Sequence, residues 1–254
     1  MRLTQVAMRF VIPIMLASLA GASSAAEPLP PNPQLPLFHG RMPPGAIAAT
    51  RQMMAMPQHP GIMPTGPYFQ PVRFEGPSGL QFSLAQMGQF GEPQSELMAG
   101  LMVGQVYRFK ITGLPSAEGA ELFPTIEMVD RTYPPPGLAT SYPIQVAIDE
   151  IDIASALDGQ MVTRVIYLED PQTAVPLRQP ASGPVPIDVG ESEDPLHMAD
   201  RLGRVVAIVR IGSLAPPRAR SLMPTFLFGS PPWAPIFKPE STSSTASESV
   251  HVHR

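Results

Sequence analysis

The sequence predicts a mainly β fold, an antiparallel β-sandwich with one or two short helices. Short runs in which apolar and polar residues alternate recur between positions 80 and 211, and this period is typical of half-buried strands. Proline and glycine, 34 and 20 of the 254 residues, separate the runs and exclude a long helical fold, because proline removes a hydrogen-bond donor from a helix interior. Strands at this spacing indicate a sandwich or a barrel, and we favour a single sandwich of the immunoglobulin-like or prealbumin-like kind. An α+β arrangement is the alternative.

The alternating runs place the strands. We predict strands over residues 80–84, 107–111, 122–128, 144–148, 162–168 and 204–211. Arg164 shares a face with Val162 and Ile166, so it needs an anionic partner if that face is buried, and Glu127 or Asp130 are the candidates.

Two helices interrupt the strands. Asp149 is placed to accept a hydrogen bond from a first-turn amide, Asp152 lies three residues later in a capping-box position, and Gly159 can end the helix. A second, shorter helix is predicted over residues 195–202, before Gly203.

The N-terminus has the pattern of a secretory signal peptide. Arg2 and Arg9 precede an apolar run over residues 10–20, and Ser24-Ala25-Ala26 matches a signal-peptidase site. We therefore expect residues 1–26 to be removed from an exported protein that is periplasmic, on the cell surface or secreted, and not integral to the membrane after cleavage. Retention of this segment as an anchor is the alternative.

Proline-rich arms are expected on both sides of the sandwich domain, which we place at residues 72–213. Residues 27–71 form a Pro/Met-rich linker, and residues 214–254 form a Pro/aromatic and then Ser/Thr-rich disordered tail. The aromatic residues of the 214–240 segment either bind an unknown envelope protein or pack back on their own domain.

Composition excludes several classes of function. The formal net charge is −4, which lacks the cationic surplus that a nucleic-acid-binding protein needs. The chain has no cysteine, so it has no disulfide, zinc-thiolate site, iron–sulfur cluster or lipidated cysteine.

Two residue groups have the composition of metal ligands, but neither has a recognised spacing. The first combines His39 and His59 with five methionines (Met42, Met53, Met54, Met56 and Met63), ligands that suit Cu(I); adaptable apolar packing is the favoured interpretation. The second is the acidic loop of Asp188, Glu191, Glu193 and Asp194, for which a solvated loop is favoured over a calcium site. We assign no metal and no cofactor site.

No catalytic residues are assigned either. His197 is the one histidine in the predicted domain, and no nucleophile motif accompanies it. Glu169 and Asp170 end a strand before a proline, which is typical of a turn. His251 and His253 lie at the C-terminus. We predict that the protein is not an enzyme.

Three strings carry a resemblance to known proteins. They lie in residues 107–144, which include ELFPTIEMVDRTYPPPG, in residues 162–176, which begin VTRVIYLEDP, and in residues 194–213. Over about residues 100–213 the chain resembles a family of uncharacterised, exported, signal-peptide-bearing proteins of planctomycete bacteria, and this resemblance implies export. The expected function is a structural or protein-interaction role in the cell envelope without catalysis. An extracytoplasmic ligand- or metal-binding module is the alternative.

Overall fold

The fold is a sandwich of two facing sheets. The computed structural model describes residues 3–10, 39–40, 42–55, 67–115, 117–172, 174, 186–190 and 192–236. Within them the strands are β1 (Leu3–Phe10), β2 (Phe69–Glu75), β3 (Gln81–Gln86), β4 (Gln89–Phe90), β5 (Leu97–Met102), β6 (Val106–Thr112), β7 (Thr125–Met128), β8 (Ile144–Ala147), β9 (Met161–Glu169), β10 (Ile187–Asp188), β11 (Gly203–Ile211) and β12 (Trp233–Pro235). The helices are α1 (Ala46–Ala55), α2 (Glu150–Leu157), α3 (Pro195–Leu202) and α4 (Met223–Phe226), with 3₁₀ turns at Ala139–Ser141 and Arg220–Leu222.

Strand pairing is antiparallel except at two places. The large sheet has the order β10-β1-β9-β11-β7-β6-β3-β4, and the small sheet has the order β12-β5-β2-β8. The parallel pairs are β1 with β10 and β2 with β8. The predicted mainly β, antiparallel sandwich with few short helices is therefore confirmed.

The main core lies between the two sheets. Phe74 of the small sheet packs against Phe109 and Phe82 of the large sheet, with ring centroids 4.9 and 6.1 Å apart. All three side chains are fully buried. The core side chains occupy alternate positions of β2, β5 and β6, as expected for strands with one face in the core.

A second apolar cluster lies on the outer face of the large sheet. Ile47 of α1 and Leu196 of α3 join Tyr167 of β9 and Ile208 of β11 in this cluster. Strands β9 and β11 are therefore covered on both faces, which accounts for the almost unbroken apolar run of residues 204–211.

Helix α2 covers one end of the main core and begins as predicted. Asp149 accepts a hydrogen bond from the Asp152 amide, and the Asp152 carboxylate accepts one from the Asp149 amide, which completes the capping box. Oδ2 atoms of both aspartates lie 2.5 Å from Nη2 of the buried Arg164. The expectation that Glu127 or Asp130 pairs with Arg164 is wrong, because α2 packs against the inward face of β9 and brings its own carboxylates to the arginine.

Glu127 instead holds a helix of the expected linker against the sheet. Its fully buried carboxylate lies 2.9 Å from Nη1 of Arg210 and accepts a hydrogen bond of 2.8 Å from the amide of Ala48. Arg210 also donates to the carbonyl of Met42. This buried pair satisfies a first-turn amide of α1, so part of the 27–71 segment is helical and packed. Residues 27–38 and 56–66 lie outside the described residues.

The first part of the expected tail is folded onto the domain. Arg108 of β6 donates hydrogen bonds of 2.6 Å to the carbonyls of Phe226 and Phe123, and its guanidinium lies 4.2 Å from the Phe226 ring centroid. Burial without a carboxylate among these contacts lowers the pKa of Arg108 to about 10. Residues 214–236 thus differ from the disordered tail that their proline content predicts, because tertiary contacts hold them. Residues 237–254, which include His251 and His253, lie outside the described residues.

The tail also adds a strand to the small sheet. β12 pairs antiparallel with β5, where Trp233 is opposite Leu101. The buried Tyr107 hydroxyl accepts from the Met102 amide at 2.9 Å and donates to the Pro232 carbonyl at 2.8 Å. This hydroxyl therefore joins the tail to both sheets, and its burial raises the pKa of Tyr107 to about 12.

Part of the expected signal peptide is also a strand in this structure. β1 lies between β9 and β10 and pairs with β9 over eight residues. Residues 1–2 and 11–26 of the expected signal peptide lie outside the described residues. Among the described helices, none combines the length and the apolar character that a membrane crossing requires.

Candidate functional site

The loop between β7 and β8 is the candidate site, and we call residues 131–143 the interaction loop. It crosses from the large sheet to the small one and exposes three large apolar side chains. Tyr133 is 56% exposed, Tyr142 53% and Leu138 43%. Binding residues are often carried on loops that a rigid scaffold positions.

The interaction loop is braced by its own backbone. The amide of Leu138 donates to the carbonyl of Pro135 at 3.1 Å, and Gly137 has a φ of +79°, which only glycine adopts readily. Pro136 and Gly137 thus occupy the central positions of a type II turn. The amide of Tyr142 closes the following 3₁₀ turn on the carbonyl of Ala139. A loop built this way loses little conformational entropy on binding.

The start of the loop is anchored in both sheets. The amide and the hydroxyl of Thr132 donate to Oε1 of the fully buried Gln70, at 2.8 and 3.0 Å. The amides of Val129 and Asp130 both donate to the carbonyl of Val206, where β11 has a bulge. The bulge therefore fixes the direction in which the chain leaves β7.

Cationic and aromatic side chains alternate around Tyr133. The guanidinium carbons of Arg131 and Arg204 lie 4.5 and 4.9 Å from the Tyr133 ring centroid, and Arg131 also lies 5.0 Å from the ring of Tyr68. Hydrogen bonding with Tyr133 raises the pKa of Arg131. Arg204 forms an ion pair with Asp130. Tyrosine and arginine in such stacked contacts are typical of protein-interaction surfaces.

A shallow cleft of about 300 Å³ adjoins this group through Arg204. Its walls come from the end of β9, the start of β11 and the end of α3, and they carry charges of both signs. Asp200 is paired there with Arg51 at 2.6 Å. Because the walls carry both acidic and basic side chains, the charge of the cleft does not specify one class of ligand.

The acidic loop has a structural role at Asp194. Its carboxylate accepts hydrogen bonds from the amide of Leu196 at 2.9 Å, as the N-cap of α3, and from the amide of Gly40 at 2.7 Å. Glu193 lies 4.0 Å from Arg201. Asp188 belongs to β10, and Glu191 lies outside the described residues.

The methionines and histidines singled out in the sequence belong to different parts of the structure. Met42 packs at the edge of the outer cluster, and His197 lies on α3. His39 is exposed, and its carbonyl accepts a hydrogen bond from the amide of Met42. Met53 and Met54 belong to α1, and Met56, His59 and Met63 lie outside the described residues. Within the described part, no three His, Cys, Asp or Glu residues are grouped as a metal site would need.

Asp170 forms the turn that its position predicts. Its carboxylate accepts a hydrogen bond from the amide of Gln172 at 2.9 Å, which is an Asx-turn following β9. The assignment of Asp170 to turn chemistry agrees with this geometry, whereas Glu169 is the last residue of β9.

The strand and helix patterns of the sequence do not point to the exposed side chains of the interaction loop. Pro134-Pro135-Pro136-Gly137 forms a rigid segment where the chain leaves β7, as the turn at Gly137 shows. The available signal was the spacing of Tyr133, Leu138 and Tyr142 around that rigid segment. Comparison with family models, with curated proteins and with solved structures finds no match to this chain.

Proposed function

We propose that this chain is an exported cell-envelope protein that binds another protein through the interaction loop and catalyses no reaction. The observation that carries this proposal is Tyr133, more than half exposed on a proline-braced loop and stacked with two arginines. Export rests on the predicted signal peptide of residues 1–26, and the mature protein is periplasmic, on the cell surface or secreted.

The energetics of interfaces support a role for this loop. Tyrosine and arginine dominate the small groups of residues that carry most of the free energy of binding between proteins. Rigid aromatic side chains also lose little conformational entropy when they bind. Tyr133, Leu138 and Tyr142 combine these properties within ten residues of one braced loop.

Three buried charged side chains hold parts of the fold together, and we therefore favour a binding role over a catalytic one. Arg164 is engaged with the first turn of α2, Glu127 with that of α1, and Arg108 with the folded tail. For the 214–240 segment the sequence leaves two possibilities, binding to an envelope protein or packing on its own domain. Its described part is engaged with its own domain through Phe226 and Leu227, so we place the docking surface on the interaction loop instead.

Site-specific photocrosslinking tests the proposal. A photoreactive amino acid replaces Tyr142 in the full chain expressed in its native host, and a matched variant carries it at Met87, which is 85% exposed in the turn between β3 and β4. We expect a discrete crosslinked partner from position 142 and none from position 87. Equal or absent crosslinking at the two positions would contradict the proposed docking surface.

The affinity of the purified partner then measures the contribution of Tyr133. Because truncation of a central tyrosine costs about 2 kcal/mol or more, we expect Tyr133→Ala to weaken binding about thirtyfold, and Met87→Ala to leave it unchanged. Mass spectrometry of the N-terminal peptide of the exported protein tests the proposed export and cleavage. We expect this peptide to begin at Glu27.

A further inference from the structure

Removal of the signal peptide would open a gap in the large sheet. β1, which spans residues 3–10, lies within the segment that the predicted cleavage after Ala26 removes. Its eight residues pair with β9 from Leu3 opposite Leu168 to Phe10 opposite Met161, and on its other side it pairs with β10. We call the space between β9 and β10 the strand slot.

We propose that the strand slot of the mature protein accepts an extended segment of another exported protein, which adds to the sheet in the place of β1. This inference rests on the proposed function, since it requires that residues 1–26 be removed. Strand addition of this kind supplies affinity through main-chain hydrogen bonds and specificity through alternate side chains.

The composition of β9 supports an acceptor role. Proteins protect exposed edge strands by shortness, by proline or by lysine. Among the described strands, the other sheet edges follow this rule: β4 has two residues, β8 has four, and β12 has three, including Pro235. β9 has nine residues with neither proline nor lysine, and its Arg164 is held by Asp149 and Asp152. Without β1, this long edge would have no such protection.

The width of the slot determines what can occupy it. Neighbouring strands lie about 4.8 Å apart, so the place where β1 lies between β9 and β10, at Val6 and Ala7, fits one strand. If the β9 strand of a second copy took the place of β1, the β11 strand of that second copy would occupy the position of β10 in the first copy. The mature arm from residue 27 reads EPLPPNPQLPLF, and its five prolines lack the donors that a central strand needs. A single extended, proline-free segment from another protein satisfies both limits.

The surroundings of β9 also define the side chains of that segment. Ile166 faces the core between the sheets, whereas Val165 and Tyr167 face the outer cluster beneath α3. A strand beside β9 therefore borders apolar surroundings on both faces. We expect a donor of about eight residues that is uncharged at the positions opposite Tyr167, Ile166 and Val165, as residues 4–6 of β1 are.

Strand exchange in the full chain tests the inference. A specific protease site is inserted between Ala26 and Glu27, the purified protein is cut, and fluorescent LTQVAMRF peptide is added in excess. The matched control is the same peptide with Val6→Pro, because Val6 pairs with both Val165 and Ile187. Peptide uptake is measured by fluorescence anisotropy, and protection of the β9 amides by hydrogen exchange.

We expect the unmodified peptide to be incorporated and to protect the β9 amides, and the proline peptide to bind at least tenfold more weakly. If cleavage unfolds the protein and only the unmodified peptide restores the fold, that result also supports the strand slot. Three results would overturn the inference. The two peptides could bind equally, the protein could take up no peptide while the β9 amides stay protected, or cleavage could unfold the protein with neither peptide restoring the fold. An exported protein that begins at Met1 would instead refute the proposed export with cleavage, whatever the peptides do.

Discussion

Removal of the Asp152 carboxylate should strongly destabilise the protein. Asp152 is fully buried, and its carboxylate lies 2.5 Å from Arg164, whose side chain is 4% exposed. Breaking a buried ion pair by deleting one partner costs about 3–5 kcal/mol, because the remaining charge stays out of water. The second aspartate, Asp149, is 43% exposed, and such a solvent-facing pair recovers at most about 1 kcal/mol. We therefore expect Asp152→Ala to lower the free energy of unfolding by about 3 kcal/mol.

Urea denaturation of the full chain measures this change, with Glu150→Ala as the control. Glu150 lies in the same first turn but is exposed, so its removal should cost under about 1 kcal/mol through the helix dipole. The double variant Asp152→Leu with Arg164→Met replaces the pair with apolar side chains and should recover most of the stability. A loss below about 1 kcal/mol for Asp152→Ala would refute the reasoning that this pair is buried and mutually dependent.

Two further predictions concern the folded tail. Burial raises the pKa of Tyr107 from its ordinary value of 10.0 to about 12, so the folded state retains the phenolic proton to higher pH than the unfolded state does. The free energy of unfolding should therefore fall by about 2 kcal/mol as the pH rises from 10 to 12. Denaturation in urea across this range should show that Tyr107→Phe lacks this fall. Arg108→Leu removes both hydrogen bonds to the carbonyls of Phe226 and Phe123, so limited trypsin digestion should cut at Arg220 at least tenfold faster than in wild type, whereas the neighbouring Lys110→Leu should leave that rate within about twofold.

The elements that could be predicted from the sequence are those whose signals are local. The capping box of Asp149 and Asp152 is specified by residues three positions apart, and α2 begins where that spacing predicts. Alternation in β6 and β9 is a period-two property of short runs, so both strands were located to within one or two residues.

The elements that were missed depend on distant contacts. Strand β5 contains Gly100 and lacks alternation of apolar and polar residues. A Cβ at Gly100 would approach Cβ of Phe69 to 3.2 Å, which is a tight contact. Helix α1 follows prolines and is held by Glu127, 79 residues from the amide that it caps. No local pattern contains that information.

The same limit applied to the candidate site. Arg204 and Tyr133 lie 71 positions apart, and their contact depends on how β11 pairs beside β7. Three consecutive prolines at residues 134–136 are a local signal of rigidity, whereas no local signal indicates the arginines that stack on Tyr133.

The position of β11 has a consequence for how the chain is made. β11 is the strand that joins the β10-β1-β9 part of the large sheet to the β7-β6-β3-β4 part, and it ends only at Ile211. The two halves therefore cannot unite until most of the polypeptide has been synthesised, and pairings between such distant segments form slowly.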